Sequence, residues 1–215
     1  MWLISLLACS DVTAPEAGAQ LGPVVQLKDW FTSCFVLEGD TEVVMFDACW
    51  RAGPVERALA DQGLTPDAVT HVLLTHGHDD HVAGLEAFPG AAVWALEAEA
   101  ALVEEAVGVG LDRALADGET LTLAGQTIEV FAVPGHTAGS AVFLVDGTLI
   151  FGDAGLVDRD GVLVPAPEGR SDDPAAAVDS VRALAERLAP RADEIAWIAP
   201  AHSAAIAGYA PLGDF

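Results

Sequence analysis

The densest chemistry in the chain lies in Thr75-His76-Gly77-His78-Asp79-Asp80-His81, directly after the apolar run Val72-Leu73-Leu74. The pattern is H-x-H-x-D-H. In an extended loop, residues two apart project to the same side, so His76 and His78 can grip one ion together. Asp80 and His81 lie further on, where a helix begins, and can face a second ion. Imidazole and carboxylate are the ligands that zinc, iron and manganese accept. Three more polar residues each follow an apolar strand: His136 in Pro134-Gly135-His136-Thr137, Asp153 in Phe151-Gly152-Asp153-Ala154, and His202 in Pro200-Ala201-His202-Ser203. Taken singly they say little, since a lone histidine is more often a surface or core residue and a Gly-Asp-Ala-Gly segment is more often a turn. Together they carry weight, because the chain has 6 histidines and all but His71 fall in this series. His71 opens a strand and is given no role.

These residues need strands and turns to position them. Val24–Leu27, Ser33–Leu37 and Glu42–Phe46 read as strands, with a turn at Glu38-Gly39-Asp40-Thr41. Gly53–Gln62 reads as a helix with Pro54 at its start. Thr70–Thr75 reads as a buried strand, Ala91–Ala95 as a short one, and Leu96–Val107 as a helix. Glu119–Leu123 and Thr127–Val133 form a hairpin, as do Ala141–Val145 and Thr148–Phe151 around Asp146-Gly147. Asp173–Leu188 is a helix with an apolar stripe of Val178, Val181, Leu184 and Leu188, stopped by Pro190. Ile195–Ile198 is a last strand. Strands, helices, strands, helix, strand is the order of an α/β fold built as a four-layer αββα sandwich, two mixed β-sheets with helices outside.

The ordered set His76/His78/Asp80/His81, His136, Asp153, His202 resembles the metallo-β-lactamase superfamily, over nearly the whole chain after residue 23. The resemblance implies the same αββα sandwich, with the site loops converging at one edge of the two sheets. It implies that His76, His78 and His136 bind a first metal, that Asp80, His81 and His202 bind a second, and that Asp153 bridges the two. Asp47, at the end of the Glu42–Phe46 strand, resembles the family's Asp that braces the metal loop. The family usually continues that Asp as Thr-Gly, whereas this chain has Asp47-Ala48-Cys49. A glycine able to take positive φ is missing, so a different local turn is expected.

Two divalent ions, zinc first with iron or manganese as alternatives, would share a hydroxide. They would lower the pKa of a bound water from about 16 to about 7. The expected reaction is hydrolysis, with Asp80 as the catalytic residue that orients the nucleophile or shuttles a proton. No Gly-x-Ser-x-Gly nucleophile elbow is present. A bridging Asp153 argues against the β-lactamase groups and for the glyoxalase II–like and lactonase-like branch. With only residues 203–215 after His202, glyoxalase II's C-terminal helical domain is not expected, and neither is a flavodoxin module. The expected substrate is a small thioester, lactone or related ester. Two other readings stand beside it: a mononuclear-iron persulfide dioxygenase of the same fold, and a lipoprotein that uses the metal only for stability.

Composition narrows the partners. The 215 residues are 52% hydrophobic and 20% charged, which excludes intrinsic disorder. With 9 Lys+Arg against 33 Asp+Glu, the net charge of −24 repels phosphate backbones, so a small molecule rather than nucleic acid is expected as partner. Met1–Cys9 is a short apolar run that resembles a bacterial lipoprotein signal, with Cys9 lipidated and 1–23 read as signal and linker before a domain at 24–215. An exported, periplasmic or membrane-anchored protein follows; a mis-placed start or an ordinary first strand, in a cytoplasmic protein, is the alternative. Cys34 and Cys49 are either a disulfide or two free buried thiols. Trp30, Phe31 and Trp50 fall near strand ends and either wall an acyl group or pack in the core. Arg51, Arg159 and Arg170 either bind a substrate carboxylate or sit in solvent.

Overall fold

A computed structural model of the chain describes residues 12–215. Cys9 and the apolar run before it lie outside the described residues. The first sheet has the order β1 (Gln20–Leu21), β2 (Val24–Asp29), β3 (Thr32–Glu38), β4 (Val43–Phe46), β5 (Val69–Leu73), β6 (Ala92–Leu96) and β7 (Arg113–Leu115). It is antiparallel through β4 and parallel from β4 to β7. The second sheet begins with β8 (Thr120–Leu123), β9 (Gln126–Ala132), β10 (Ala141–Val145) and β11 (Thr148–Gly152). A separate ribbon, β12 (Leu156–Val157) and β13 (Leu163–Val164), follows. The sheet is completed by β14 (Trp197–Pro200), which runs parallel to β11, and β15 (Ile206–Ala207). The helices are α1 (Ala52–Asp61), α2 (Asp79–Val82), α3 (Ala100–Val107), α4 (Pro174–Leu188) and α5 (Ala210–Gly213).

Three buried apolar clusters make four layers. Between the sheets lie Phe35, Leu37, Val44 and Phe46 from the first, against Ile128, Val130, Phe143 and Val145 from the second. Outside the first sheet, Val36, Met45 and Val72 pack under Val55 and Leu59 of α1 and Val103 of α3. Outside the second, Val142, Leu144 and Leu149 pack under Val181, Leu184 and Leu188 of α4. Alternate residues of one strand thus feed opposite cores, as Phe35 and Leu37 against Cys34 and Val36. That is why the central strands read as unbroken apolar runs instead of alternating ones. The αββα sandwich expected from the element order is the observed fold.

The differences are local. Residues 12–23, read as signal and linker, lie against the domain. Gln20–Leu21 pairs with Val24–Val25 across a turn at Gly22 (φ +57), and Thr13 hydrogen-bonds Val157. The short strands β7, β12, β13 and β15 were not expected; each has only two or three residues, too few for a period to register. Asp173 caps α4, its side chain accepting from the Ala176 amide at 3.0 Å. No helix among the described residues is long and apolar enough to cross a membrane.

Candidate metal centre

All the site loops leave the sheets at one edge. Asp47 follows β4, His76–His81 follow β5, His136 follows β9, Asp153 follows β11 and His202 follows β14. The structure therefore brings together all seven residues expected to meet, from positions spread between 76 and 202.

They form two clusters. In the first, His76 Nε2, His78 Nδ1 and His136 Nε2 stand 3.0, 3.2 and 3.0 Å from one another. The edge of a tetrahedron around zinc with nitrogen ligands is about 3.3 Å. In the second, His202 Nε2 lies 3.2 Å from Asp80 Oδ2, and His81 Nε2 lies 3.9 Å from the same oxygen. Asp153 sits between. Its Oδ2 is 3.4 Å from His136, while its Oδ1 is 3.3 Å from His81 and 3.2 Å from His202.

A cation fits this arrangement on two counts. Buried His81 Nε2 and Asp153 Oδ1 find no hydrogen-bond partner among protein groups, and orphaned buried atoms of this kind are costly unless something else satisfies them. The outward nitrogens of three of the histidines are also already committed. His81 Nδ1 donates to Asp47 Oδ2 at 2.7 Å, and His202 Nδ1 donates to the Phe31 carbonyl at 3.1 Å. His76 Nδ1 lies 3.1 Å from Thr75 Oγ1, which itself donates to Asp47 Oδ2 at 2.8 Å. The inward nitrogens of these three rings are thereby left as lone pairs when the imidazoles are neutral.

Asp47 is the hub of that outer layer, since it also accepts the Thr75 amide at 2.7 Å. The turn after Asp47 takes left-handed backbone without a glycine, with Asp47 at φ +59 and Cys49 at φ +58. Such conformations persist in non-glycine residues only where the surroundings over-determine them. Here Cys49 is disulfide-bonded to Cys34 on β3, with Cα atoms 5.2 Å apart, and the Ala48 amide donates to the His81 carbonyl at 2.7 Å. Gly84 closes the same corner, because a Cβ there would stand 1.9 Å from the Ala48 carbonyl oxygen. Of the two readings of Cys34 and Cys49, the structure has the disulfide.

Electrostatics follow from burial and neighbours. Desolvation opposes charge on every group, yet at His81 the carboxylates of Asp153, Asp47 and Asp80 outweigh it and raise the pKa well above the usual range. At His202 burial is again outweighed, by Asp153 and Asp80, and the pKa rises to about 10. His76 and His136 go the other way, lowered chiefly by burial and further by neighbouring histidines. Asp153 and Asp80, despite desolvation, are held low by His81 and His202. The pocket is an electronegative well around Asp153 and Asp80, walled by imidazoles.

One residue had not been singled out. Glu99, just before α3, is buried and accepts the Gly77 amide at 2.7 Å, the Gly139 amide at 2.6 Å and the Thr137 hydroxyl at 2.8 Å. It clamps the His76–His78 loop to the His136 loop. Nothing in the sequence distinguishes it from the other acids of Glu97-Ala98-Glu99. The aromatic residues resolve as a stack reaching the site. Phe31 lies on His202 with ring centroids 5.6 Å apart and planes at 15°, and Trp50 is 5.4 Å from Phe31.

A four-layer sandwich with two donor clusters at one sheet edge defines a class, and the comparisons give the family. The profile of the metallo-beta-lactamase superfamily matches residues 27–202. The chain belongs to that superfamily. A hydroxyacylglutathione hydrolase of Acidiphilium cryptum (strain JF-5) is 44% identical over 86 residues, which is 39% of this chain and 31% of that protein. Metallo-beta-lactamase domain-containing protein 1 of Homo sapiens is 37% identical over 140 residues, 59% of this chain and 47% of that protein. The matches thus span less than half the length of these curated relatives. A metallo-beta-lactamase family protein from Thermus thermophilus superposes with a TM-score of 0.69 at 23% identity, covering 91% of this chain and 78% of that one. That likeness shows the fold.

Proposed function

We propose that this chain is a metal-dependent hydrolase that cleaves a small thioester, lactone or related ester, with His76, His78 and His136 holding one divalent ion and Asp80, His81 and His202 a second. The observation that carries the reading is the placement of Asp153, whose two carboxylate oxygens face the two donor clusters separately. The hydroxyacylglutathione hydrolases among the similar proteins support the reaction type. Bound divalent ions supply Lewis acidity toward a carbonyl oxygen and a nucleophile available near neutral pH.

The protein's own groups do the rest. Asp47 and the Phe31 carbonyl hold the rings of His76, His81 and His202 in one orientation, so their donor atoms need little reorganisation. Asp80 is the carboxylate with the most open face, its side chain 23% exposed against 13% for Asp153. It is placed to take a proton from the attacking side and pass it outward. Phe31 and Trp50 wall the approach and limit water around an acyl group.

The test is elemental analysis of the purified chain coupled to a thioester and lactone hydrolysis panel. Two zinc per chain with turnover on that panel is expected. One iron per chain with oxygen uptake on a persulfide, or a metal-loaded protein inert toward every ester, would overturn the reading.

A further inference from the structure

A second depression lies beside the site and is chemically unlike it. Lys28 and Trp30 at the end of the β2–β3 hairpin, with Trp50, Arg51 and Arg57 at the start of α1, line a cleft of about 510 Å³, floored by Asp29. The charge is the informative feature. The chain carries 9 basic side chains in a net charge of −24, and Lys28, Arg51 and Arg57 all converge here.

Most of the other arginines are spent on ion pairs: Arg113 with Glu119, Arg182 with Asp179, Arg187 with Asp117 and Arg191 with Glu129. In the cleft only Arg51 is paired, with the buried carboxylate of Asp29. That pair holds its guanidinium 5.3 Å above the Trp50 ring. Lys28 donates to the Pro15 carbonyl at 3.2 Å, which leaves its charge uncompensated. Neither Lys28 nor Arg57 meets a carboxylate among the described residues. Arg159 and Arg170, weighed with Arg51 as carboxylate binders, do not line the cleft.

Basic residues lining one depression beside stacked indoles, Trp30 on Trp50 at 5.6 Å and 21° with the Arg51 guanidinium over Trp50, suit an organic anion with a flat or apolar body. The cleft is joined to the candidate metal centre by two ring-to-ring steps, Trp50 to Phe31 and Phe31 to His202. A field this negative elsewhere would repel an anionic substrate, and a local cationic cleft reverses that at the entrance.

We propose that this cleft binds the carboxylate-bearing end of the substrate, so that the enzyme selects small anionic thioesters or esters over neutral ones. The assignment rests on the hydrolase reading for its role, though not for the binding itself.

The test has two arms on the metal-loaded full chain. In the first, tryptophan fluorescence follows titration with 3-phenylpropionate and with 3-phenylpropionamide. The carboxylate should bind about tenfold tighter than the amide at low salt. The preference should vanish in the double variant K28M/R57M, which keeps the apolar stems of two surface side chains. Equal binding of the two probes by the native chain overturns the proposal. A preference that survives in K28M/R57M also overturns it, since neither unpaired cation of the cleft then holds the carboxylate.

The second arm compares kcat/KM for 3-(acetylthio)propionate and its methyl ester. A preference for the anion in the native chain, carried by KM and lost in K28M/R57M, is expected. Binding of the carboxylate without hydrolysis of either compound or of any member of the thioester and lactone panel leaves the cleft standing and sinks the hydrolase. Hydrolysis of both at equal efficiency in native and variant chains does the reverse.

Discussion

Replacing Glu99 with Gln separates the clamp between the two histidine loops from the histidines themselves. The side chain keeps its volume, but it now has one acceptor where Glu99 has two. The better rotamer places the amide oxygen where Oε1 receives Gly139 and Thr137, and turns the NH2 toward the Gly77 amide. A charged acceptor becomes neutral, and one buried amide between His76 and His78 loses its partner. An ionic hydrogen bond contributes about 1.5–3 kcal/mol, and an orphaned buried amide costs about 1–3 kcal/mol. Taking about 3 kcal/mol in all, Tm should fall by about 6–12 °C for a chain of this size. The same loosening should weaken metal binding by about 10–100-fold, as loss of an outer partner does. Scanning calorimetry of the metal-free protein gives the first quantity, and competition with a chelator gives the second. A variant that melts within about 2 °C of the native chain, no more than about 1 kcal/mol gives at this size, would refute the clamp. So would one that loses stability yet holds its metals with native affinity.

Asp47→Asn should also reduce metal affinity by about 10–100-fold, because it takes one acceptor from His81 and Thr75; unchanged affinity by isothermal titration would count against the hub. In the metal-free protein His202, raised to about 10, and His81, raised well above its ordinary value, are protonated near neutral pH, whereas ligation needs them neutral. Filling the centre should therefore release about two protons from these two rings, besides any from a bound water, read from the dependence of binding enthalpy on the buffer's ionisation heat; release of less than about half a proton would contradict those shifts. The double variant C34A/C49A opens a bridge spanning 15 positions, which should cost about 3 kcal/mol, or about 6–12 °C in Tm. Native melting in that variant would show that the bridge contributes nothing.

The sandwich was legible because its strands are buried on both faces. Runs such as Val43–Phe46 and Ala141–Val145 have no polar residue to confuse the reading, and Asp146-Gly147 marks its hairpin plainly. The seven residues were legible because histidine is rare here, with 6 in the chain, and because each site segment follows a strand. The outer layer was only partly so. Asp47 could be found through family resemblance, but its partners Thr75 and His81 are matters of distance. Glu99 was invisible, one acid among many in a helix start, and its importance comes from two loops that fold over it. The cationic cleft is of the same kind, since Lys28 and Arg57 are far apart in sequence and meet only when the hairpin lies beside α1. The short strand at Gln20–Leu21 depends on a two-residue pairing that no local pattern announces.

The bond between the His202 ring and the Phe31 carbonyl spans 171 positions. The chain must therefore be made as far as residue 202 before this imidazole can be set against the β2–β3 hairpin. Until then the second cluster consists of Asp80 and His81 with Asp153 beside them and lacks its last imidazole. Assembly of the second cluster is in this sense a report that synthesis has passed that point.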